Sequence, residues 1–237
     1  MPTLGVDVSF WNGTVDFAKM RAAGVPFCYA KASQISLDSQ FKSYWPAMKA
    51  AGLLRGAYHY LDYRSSELVQ AKIFTDAMGG DWGELPPVLD FETPLPAGID
   101  AAEWRGRAWN WLQAVEKTTG KVPMIYTGFY YWLQWGSLDA GWAKYPFWLA
   151  WYADVSMIKV PPPWKKWTFW QYSGNGNGPQ YGSTGLSLDM DLFNGTEAEL
   201  RAFAGLSTPP PTPPALTNGE RITRLENAAA EHGWTLK

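Results

Sequence analysis

The chain has 237 residues, of which 46% are hydrophobic, so it is long enough to bury one substantial core. Its 20 Lys and Arg nearly balance its 22 Asp and Glu, which argues against a binding surface for nucleic acid. The single cysteine, Cys28, excludes an internal disulfide framework and a zinc site built from cysteines, and we expect it to be a small core residue.

Short apolar runs alternate with longer amphipathic ones, a pattern typical of βα units around a parallel sheet. Eight strands are predicted, at residues 4–9, 27–32, 55–60, 87–92, 124–127, 147–151, 168–172 and 188–193. Five helices are predicted, at residues 16–23, 39–51, 65–78, 101–119 and 129–135. Ser39 and Asp100 are the expected caps at the start of two helices, and glycines follow four helix ends. The pattern predicts an α/β fold, an irregular TIM-like barrel with eight strands and about five helices, over residues 1–206.

The composition changes after this region. Residues 207–219 are rich in proline and predict an extended linker. Residues 220–237 form a short C-terminal segment with a helical pattern over 220–232. Because so short a helix is marginal alone, self-association, docking on a larger partner and a frayed tail all stay open.

No apolar run is long enough to span a membrane, so membrane insertion is not expected. The first residues lead straight into a predicted strand, without the basic start and apolar stretch of a signal peptide. We therefore expect synthesis in the cytoplasm, with a separate route to any target outside the plasma membrane.

Two carboxylates share one face of the fourth predicted strand, in Leu89-Asp90-Phe91-Glu92. Alternate side chains of a strand point the same way, so Asp90 and Glu92 face together while Leu89 and Phe91 face opposite. Like charges held close in a partly dry site raise at least one pKa, and a carboxyl that stays protonated can donate to a leaving oxygen. The pattern predicts Glu92, nearer the strand's C-terminal end, as a general acid. A pair of acids salt-bridged to Lys or Arg, and a metal site, are the alternatives.

Further acids alternate with apolar residues on the first and last predicted strands. Asp7 lies between Val6 and Val8, and Asp189 shares a face with Asp191. Because a barrel interior normally carries branched apolar side chains, acids on three inner strands indicate a reactive cluster. The chain also carries 15 Trp, 12 Tyr and 11 Phe, and we expect those outside the core to line a groove that stacks on sugar rings.

These residues belong to motifs that resemble those of one family, in order, over residues 4–196. The motifs are Gly5-Val6-Asp7-Val8-Ser9-Phe10-Trp11-Asn12-Gly13, Tyr29-Ala30-Lys31-Ala32-Ser33, Gly56-Ala57-Tyr58-His59-Tyr60, Leu89-Asp90-Phe91-Glu92, Trp170-Gln171-Tyr172 and Leu188-Asp189-Met190-Asp191-Leu192-Phe193. Together they resemble the family 25 glycoside hydrolases, the lysozymes (N-acetylmuramidases) of fungi, bacteria and phages. The resemblance implies hydrolysis of the β-1,4 bond between N-acetylmuramic acid and N-acetylglucosamine in bacterial peptidoglycan. No cofactor is expected, and a metal site is disfavoured because the chain has only two His, one of them in the C-terminal segment.

The resemblance also implies roles for individual residues. Glu92 matches the catalytic acid, Asp90 its partner, and Asp7 and Asp189 the further acids of the site. The residues that match groove positions are Lys31, Tyr58, Tyr60, Tyr126, Trp148 and Gln171. Asp191 stands where the family usually has Asn and is counted with the substrate-binding residues, so whether Asp189 or Asp191 is the functional acid stays open.

Ser33-Gln34-Ile35 replaces the Thr-Glu-Gly often found in the family, so this loop is expected to bind sugar differently. A retaining, an inverting and a substrate-assisted mechanism are all compatible with the sequence. A muramidase with this organisation suits a phage endolysin released through a holin, or a wall-lysing part of a larger particle. The other functions considered are a non-catalytic wall-binding module of the same fold and a hydrolase of another N-acetylated glycan such as chitin.

Overall fold

Eight strands close into a barrel, as the sequence predicts. The structure, a computed structural model, describes residues 1–94 and 97–206; the predicted linker at 207–219 and segment at 220–237 lie outside this part. The strands are β1 (Thr3–Val8), β2 (Phe27–Ser33), β3 (Leu54–Tyr60), β4 (Val88–Asp90), β5 (Met124–Gly128), β6 (Phe147–Ala150), β7 (Phe169–Asn177) and β8 (Ser187–Phe193). Each strand pairs with the next, and β8 pairs with β1 to close the barrel.

The helices connect consecutive strands over most of the barrel. They are α1 (Phe17–Ala22), α2 (Phe41–Ala50), α3 (Glu67–Met78), α4 (Ala101–Thr119), α5 (Phe129–Trp135) and α6 (Glu197–Phe203). The five predicted helices are present with ends shifted by two residues or fewer. The sixth was not predicted, although Thr196 and Glu199 form a capping box at its start, with each side chain bound to the other's backbone amide.

Of the two residues predicted to cap the start of a helix, only one does so. Asp100 caps α4, where its side chain accepts from the backbone N–H of Glu103 at 2.7 Å. Ser39 is wrong as the start of α2, which begins at Phe41. The N-cap residue is Gln40, which makes no side-chain capping bond; its backbone N–H donates to Asp38 Oδ1 at 2.9 Å in the preceding turn.

The expectation of a parallel sheet is wrong for β8. Strands β1 to β7 pair in parallel, but β8 runs antiparallel to both β7 and β1. The reason is the connection from Asn177 to Ser187, which holds only a short 3-10 helix (Gly178–Tyr181) and is too short for a parallel crossover. Consequently β8 begins at the barrel end where β1 to β7 finish.

Aromatic side chains fill the barrel interior. The inner faces of the strands contribute Phe27, Tyr29, Leu54, Val88, Met124, Trp148, Phe169 and Phe193. A second layer lies between the strands and the helices and includes Leu89, Phe91 and Cys28, as expected from strand alternation. Within the described part of the chain, every helix is too short or too polar to traverse a lipid bilayer.

Two glycines on the inner face make room for large rings. A Cβ added to Gly5 would overlap the ring of Phe27, and one added to Gly56 would overlap the ring of Tyr29. Because interiors are close-packed, this space cannot be regained cheaply. The absence of two side chains therefore allows the aromatic filling of the barrel beneath the site.

We expect Gly56→Ala to lower the free energy of unfolding by about 1–3 kcal/mol through overpacking against Tyr29. The matched control is Gly106→Ala, in the interior of α4, where an added Cβ meets nothing within 4 Å. That change is expected to raise stability by about 0.5–1 kcal/mol, because Ala favours a helix over Gly. Urea denaturation checks both, and equal stability of the two variants would contradict the packing argument.

Candidate active site

A polar cavity of about 160 Å³ lies at the end of the barrel where β1 to β7 finish. Eight predicted site residues line it: Asp7, Tyr58, Asp90, Glu92, Tyr126, Trp148, Gln171 and Asp189. Val88 and Tyr152 complete the lining. The cavity therefore brings together residues from β1, β3, β4, β5, β6, β7 and β8.

Strand register explains why these side chains meet. Asp90 lies opposite Tyr126 of β5, and Asp7 lies opposite Asp189 of β8. Because β8 is antiparallel, an acid near its start reaches the same barrel end as acids near the ends of β1 and β4. Glu92 lies just beyond β4, and the chain stays paired there through the N–H of Phe91, which donates to the carbonyl of Tyr126 at 2.8 Å.

Gln171 organises one wall of the cavity. Its Nε2 donates to Asp7 Oδ2 at 2.7 Å. Its Oε1 accepts from the Tyr126 hydroxyl at 2.7 Å and from the Tyr152 hydroxyl at 2.5 Å. The amide is therefore held on both sides, and the orientation of the Asp7 carboxyl is fixed with it.

Asp191 lies beneath this wall. It has no exposed surface, and its Oδ1 accepts from Trp148 Nε1 at 3.1 Å. Its Oδ2 is buried without a hydrogen-bond partner, and burial together with the nearby Asp7 carboxyl raises the pKa of Asp191 well above 3.8. Asp191 does not line the cavity, so its predicted contact with substrate does not fit its position. Asp189, by contrast, lines the cavity.

Burial raises the pKa values of the cluster. The pKa of Glu92 rises to about 7, chiefly because the side chain is desolvated and because Asp189 lies close. Desolvation likewise raises the pKa of Asp189 to about 6. Burial, together with neighbouring carboxylates, also raises the pKa of Asp7 and of Asp90 well above 3.8. The cluster therefore holds protons near neutral pH, as a general acid requires.

Lys31 and Tyr60 lie beside the cavity without lining it. The Lys31 ammonium lies 5.1 Å from the centroid of the Tyr60 ring. Its charge lowers the pKa of both Asp90 and Glu92, but less than burial raises them. Among residues 1–94 and 97–206, no Lys or Arg forms an ion pair with any of the five acids, which contradicts the salt-bridged alternative.

A metal alternative was also considered from the sequence. In the part of the chain that the structure describes, no group of His, Cys, Asp and Glu is arranged to hold a metal ion.

Tyr152 is a lining residue that was not predicted. It directly follows Trp151 just beyond β6, at the strand end where barrel active sites lie, and this position was the available signal. Other aromatic side chains are exposed after neighbouring strand ends. Trp11 follows β1 with 78% of its surface exposed, and Tyr130 follows β5 and stacks on Trp151 with centroids 5.7 Å apart.

A protonatable glutamate among carboxylates, in an aromatic-walled cavity at this end of a barrel, is the arrangement of a glycoside hydrolase. Residues 6–181 match the family model described as glycosyl hydrolases family 25. The chain belongs to this family and is a glycoside hydrolase.

Characterised and uncharacterised relatives both occur. Uncharacterized protein YegX of Escherichia coli O157:H7 is 38% identical over 208 residues, covering 84% of this chain and 72% of YegX. Lysozyme M1 of Streptomyces globisporus is 34% identical over 212 residues, and the match covers 84% of this chain and 70% of lysozyme M1. The crystal structure of the bacterial lysozyme from Streptomyces coelicolor superposes with a TM-score of 0.74 at 32% identity, covering 86% of this chain and 97% of that one.

We expect Asp191→Asn to raise the free energy of unfolding at pH 7 by about 0.5–2 kcal/mol. Burial raises the pKa of Asp191 in the folded state above 3.8. Between the unfolded and folded pKa values the folded protein holds a proton that the unfolded chain has released, so stability falls as pH rises. Asn removes this dependence, and its amide oxygen can still accept from Trp148 Nε1.

Urea denaturation at pH 4 and pH 7 measures the effect, and the gain should be larger at pH 7. Asp76→Asn, at an exposed position on α3, is the matched control. A smaller gain at pH 7 than at pH 4 would overturn the assignment of Asp191 as a protonated buried acid.

Proposed function

We propose that the protein is a lysozyme that hydrolyses the β-1,4 bond between N-acetylmuramic acid and N-acetylglucosamine in bacterial peptidoglycan. The observation that carries this is the position of Glu92 at the cavity, with a pKa of about 7 raised by burial and by Asp189. A relative at 34% identity is named a lysozyme, and another at 28% is named an N,O-diacetylmuramidase, which supports the substrate class.

In the proposed reaction the Glu92 carboxyl donates its proton to the glycosidic oxygen as the bond to the anomeric carbon breaks. Positive charge develops on the sugar ring as this bond breaks. Water completes the hydrolysis when its oxygen bonds to the anomeric carbon, directly or after an intermediate, and it releases one proton to a carboxylate of the cluster. The carboxyls of Asp90 and Asp189 line the cavity, and each supplies negative charge on the protein side once it has lost its proton. As the substrate ring gains charge, the energetic cost of ionising these crowded acids falls.

Asp7 is proposed to act with Gln171 as the fixed side of the cavity. Its carboxyl accepts from Gln171 Nε2, so it is oriented before substrate arrives. Tyr126 and Tyr152 hold Gln171 in turn. Such preorganisation spares the reaction the reorientation of polar groups during bond cleavage.

The glycan is proposed to lie across the cavity mouth. Tyr58 and Trp148 present rings to the cavity, and Trp11 and Tyr130 offer exposed rings after β1 and β5. Sugar rings stack on such faces through their C–H surfaces. Lys31 and Tyr60, which lie beside the cavity, are proposed to contact the polymer outside the reacting bond.

We expect Glu92→Gln to reduce kcat/KM on purified peptidoglycan by at least about 100-fold, since Gln cannot donate the proton. The exposed Glu103→Gln on α4 is the matched control and should retain wild-type activity. Mass spectrometry of the fragments should show muramic acid at the new reducing ends.

Other outcomes would identify other functions. Saturable wall binding without new reducing ends indicates a binding module of the same fold. Faster release from chitin than from peptidoglycan indicates a different N-acetylated glycan. Wild-type rates from the Glu92→Gln protein would reject Glu92 as the acid.

We further propose that the enzyme lyses a bacterial host as a phage product released through a holin. Solved endolysins that share this fold are 22% and 19% identical to the chain and support the fold alone. The test is expression in a susceptible bacterium with and without a co-expressed holin, followed by culture turbidity. Lysis only with the holin is expected, and equal lysis in both cultures would contradict this route.

A further inference from the structure

Gln34 joins a cation beside the active site to a buried carboxylate. Its Oε1 accepts from the Lys31 ammonium at 3.2 Å, and its Nε2 donates to Asp62 Oδ2 at 2.8 Å. Since Lys31 can only donate and ionised Asp62 can only accept, the two contacts fix which end of the amide faces which partner. Gln34 is therefore an oriented bridge between them.

A β-bulge brings Gln34 into this place. Lys31 of β2 lies opposite Tyr58 of β3, but the next pair is Ser33 with His59, so β2 holds one extra residue. The extra residue reverses the facing of the chain after Lys31 and turns Ser33 to the outer side, where His59 lies. Gln34 then falls on the side of Lys31.

His59 anchors the bulge as a neutral ring. Gln70 Nε2 donates to the carbonyls of Asp62 and Ser65 at 2.7 and 2.9 Å, so Gln70 Oε1 is an acceptor. It lies 3.0 Å from His59 Nε2, which must carry the ring proton. His59 Nδ1 then accepts from the Ser33 hydroxyl at 2.8 Å. Complete burial lowers the pKa of His59 to about 3, so the ring is neutral at neutral pH.

Arg64 keeps the Asp62 carboxylate ionised. Arg64 donates to both of its oxygens, from Nε at 2.9 Å and from Nη2 at 2.7 Å. These bonds lower the pKa of Asp62 to about 2. Because its charge is already compensated by Arg64, Asp62 binds the Gln34 amide without drawing Lys31 away from the cavity.

We propose that Gln34 is a positioning residue, whose amide, oriented by Asp62, holds the Lys31 ammonium beside the Asp90–Glu92 pair. This inference rests on the proposed role of Glu92 as the general acid, and it adds a residue that influences the acidity of Glu92. A positive charge held near a carboxyl favours the ionised form, so it opposes the burial that keeps Glu92 protonated.

Several titratable groups face Glu92 from the strands around the cavity. They are Asp7 on β1, Lys31 on β2, Tyr58 and Tyr60 on β3, Asp90 on β4, Tyr126 on β5, Tyr152 after β6 and Asp189 on β8. Lys31 is the one cation among them in the described residues. Moving Lys31 away from the cavity therefore removes this positive charge from the surroundings of Glu92 and raises the pKa of Glu92.

The test measures the pKa of Glu92 directly, by NMR titration of protein labelled with ¹³C-glutamate, with Glu92→Gln used to assign the signal. Lys31→Met should raise this pKa by about one unit. Gln34→Met should raise it by about half as much, because Lys31 then moves freely in solvent. In the Lys31→Met background, Gln34→Met should add nothing, because its effect acts through Lys31.

Controls separate this role from a structural one. Gln113→Met on α4 removes a side-chain bond to the Tyr145 hydroxyl on the outer face of the barrel and should leave the pKa unchanged. Gln34→Glu is a second variant, in which a carboxylate pairs with Lys31 and should also raise the pKa. Thermal unfolding of each variant verifies that it is folded.

Two results would overturn the proposal. One is an unchanged pKa of Glu92 in both Gln34 variants. The other is a shift from Gln34→Met that persists in full when Lys31 is already Met.

The pH dependence of kcat/KM on peptidoglycan gives the second readout. If the wild-type protein is active, the alkaline limb should move upward with the NMR value in each variant. If the wild-type protein does not cleave peptidoglycan, the proposed function fails, while the titration still decides the role of Gln34.

Discussion

Crowding of carboxyl groups inside a closed barrel is the constraint on which the rest of this molecule depends. Asp7, Asp90 and Asp191 are almost wholly removed from solvent, and no basic residue in the described chain pairs with them. Burying a carboxylate as an anion costs free energy. The cost is reduced when the carboxyl binds a proton or accepts a hydrogen bond from a neutral donor. In this cluster burial raises the pKa values, which favours the protonated forms, and the Gln171 amide donates to Asp7.

Packing elsewhere in the fold offsets the free-energy cost of burying these carboxyl groups. Large rings fill both the interior beneath the acids and the layer under the helices, where Trp104 and Trp111 are fully buried. The glycines of β1 and β3 let the interior rings pack without strain. The aromatic residues therefore serve mainly to fill the core, and a smaller set of rings faces the cavity and its mouth.

Much of this was predictable from local pattern. Period-two alternation identified the inner faces correctly, so the acids of β1, β4 and β8 were expected to meet, and Leu89 and Phe91 were expected on the opposite side. The direction of β8 was not predictable in the same way, because strand alternation carries no information on direction. Asp191 illustrates a second limit: sequence spacing gives it the same facing as Asp189, but depth along the barrel axis decides that only Asp189 meets the cavity.

The bulge in β2 shows a third limit. Strict alternation places Ser33 on the same side as Lys31, whereas the extra residue turns Ser33 toward His59. A one-residue insertion leaves no trace in hydrophobic periodicity over so short a strand. The network from His59 through Gln70 and Asp62 to Gln34 therefore emerges only from three-dimensional contacts, and it links a buried neutral ring to the electrostatics of the cavity.

The pairing of β8 with β1 also determines when the cavity can form during synthesis and folding of the chain. The first strand carries Asp7, but its partner Asp189 is synthesised some 180 residues later, as the two residue numbers show. Contacts so distant in sequence form late, because the loop between them must first be ordered. During translation the nascent chain thus lacks one wall of its cavity until β8 has been synthesised and has left the ribosome, so a shorter chain has only part of this cavity.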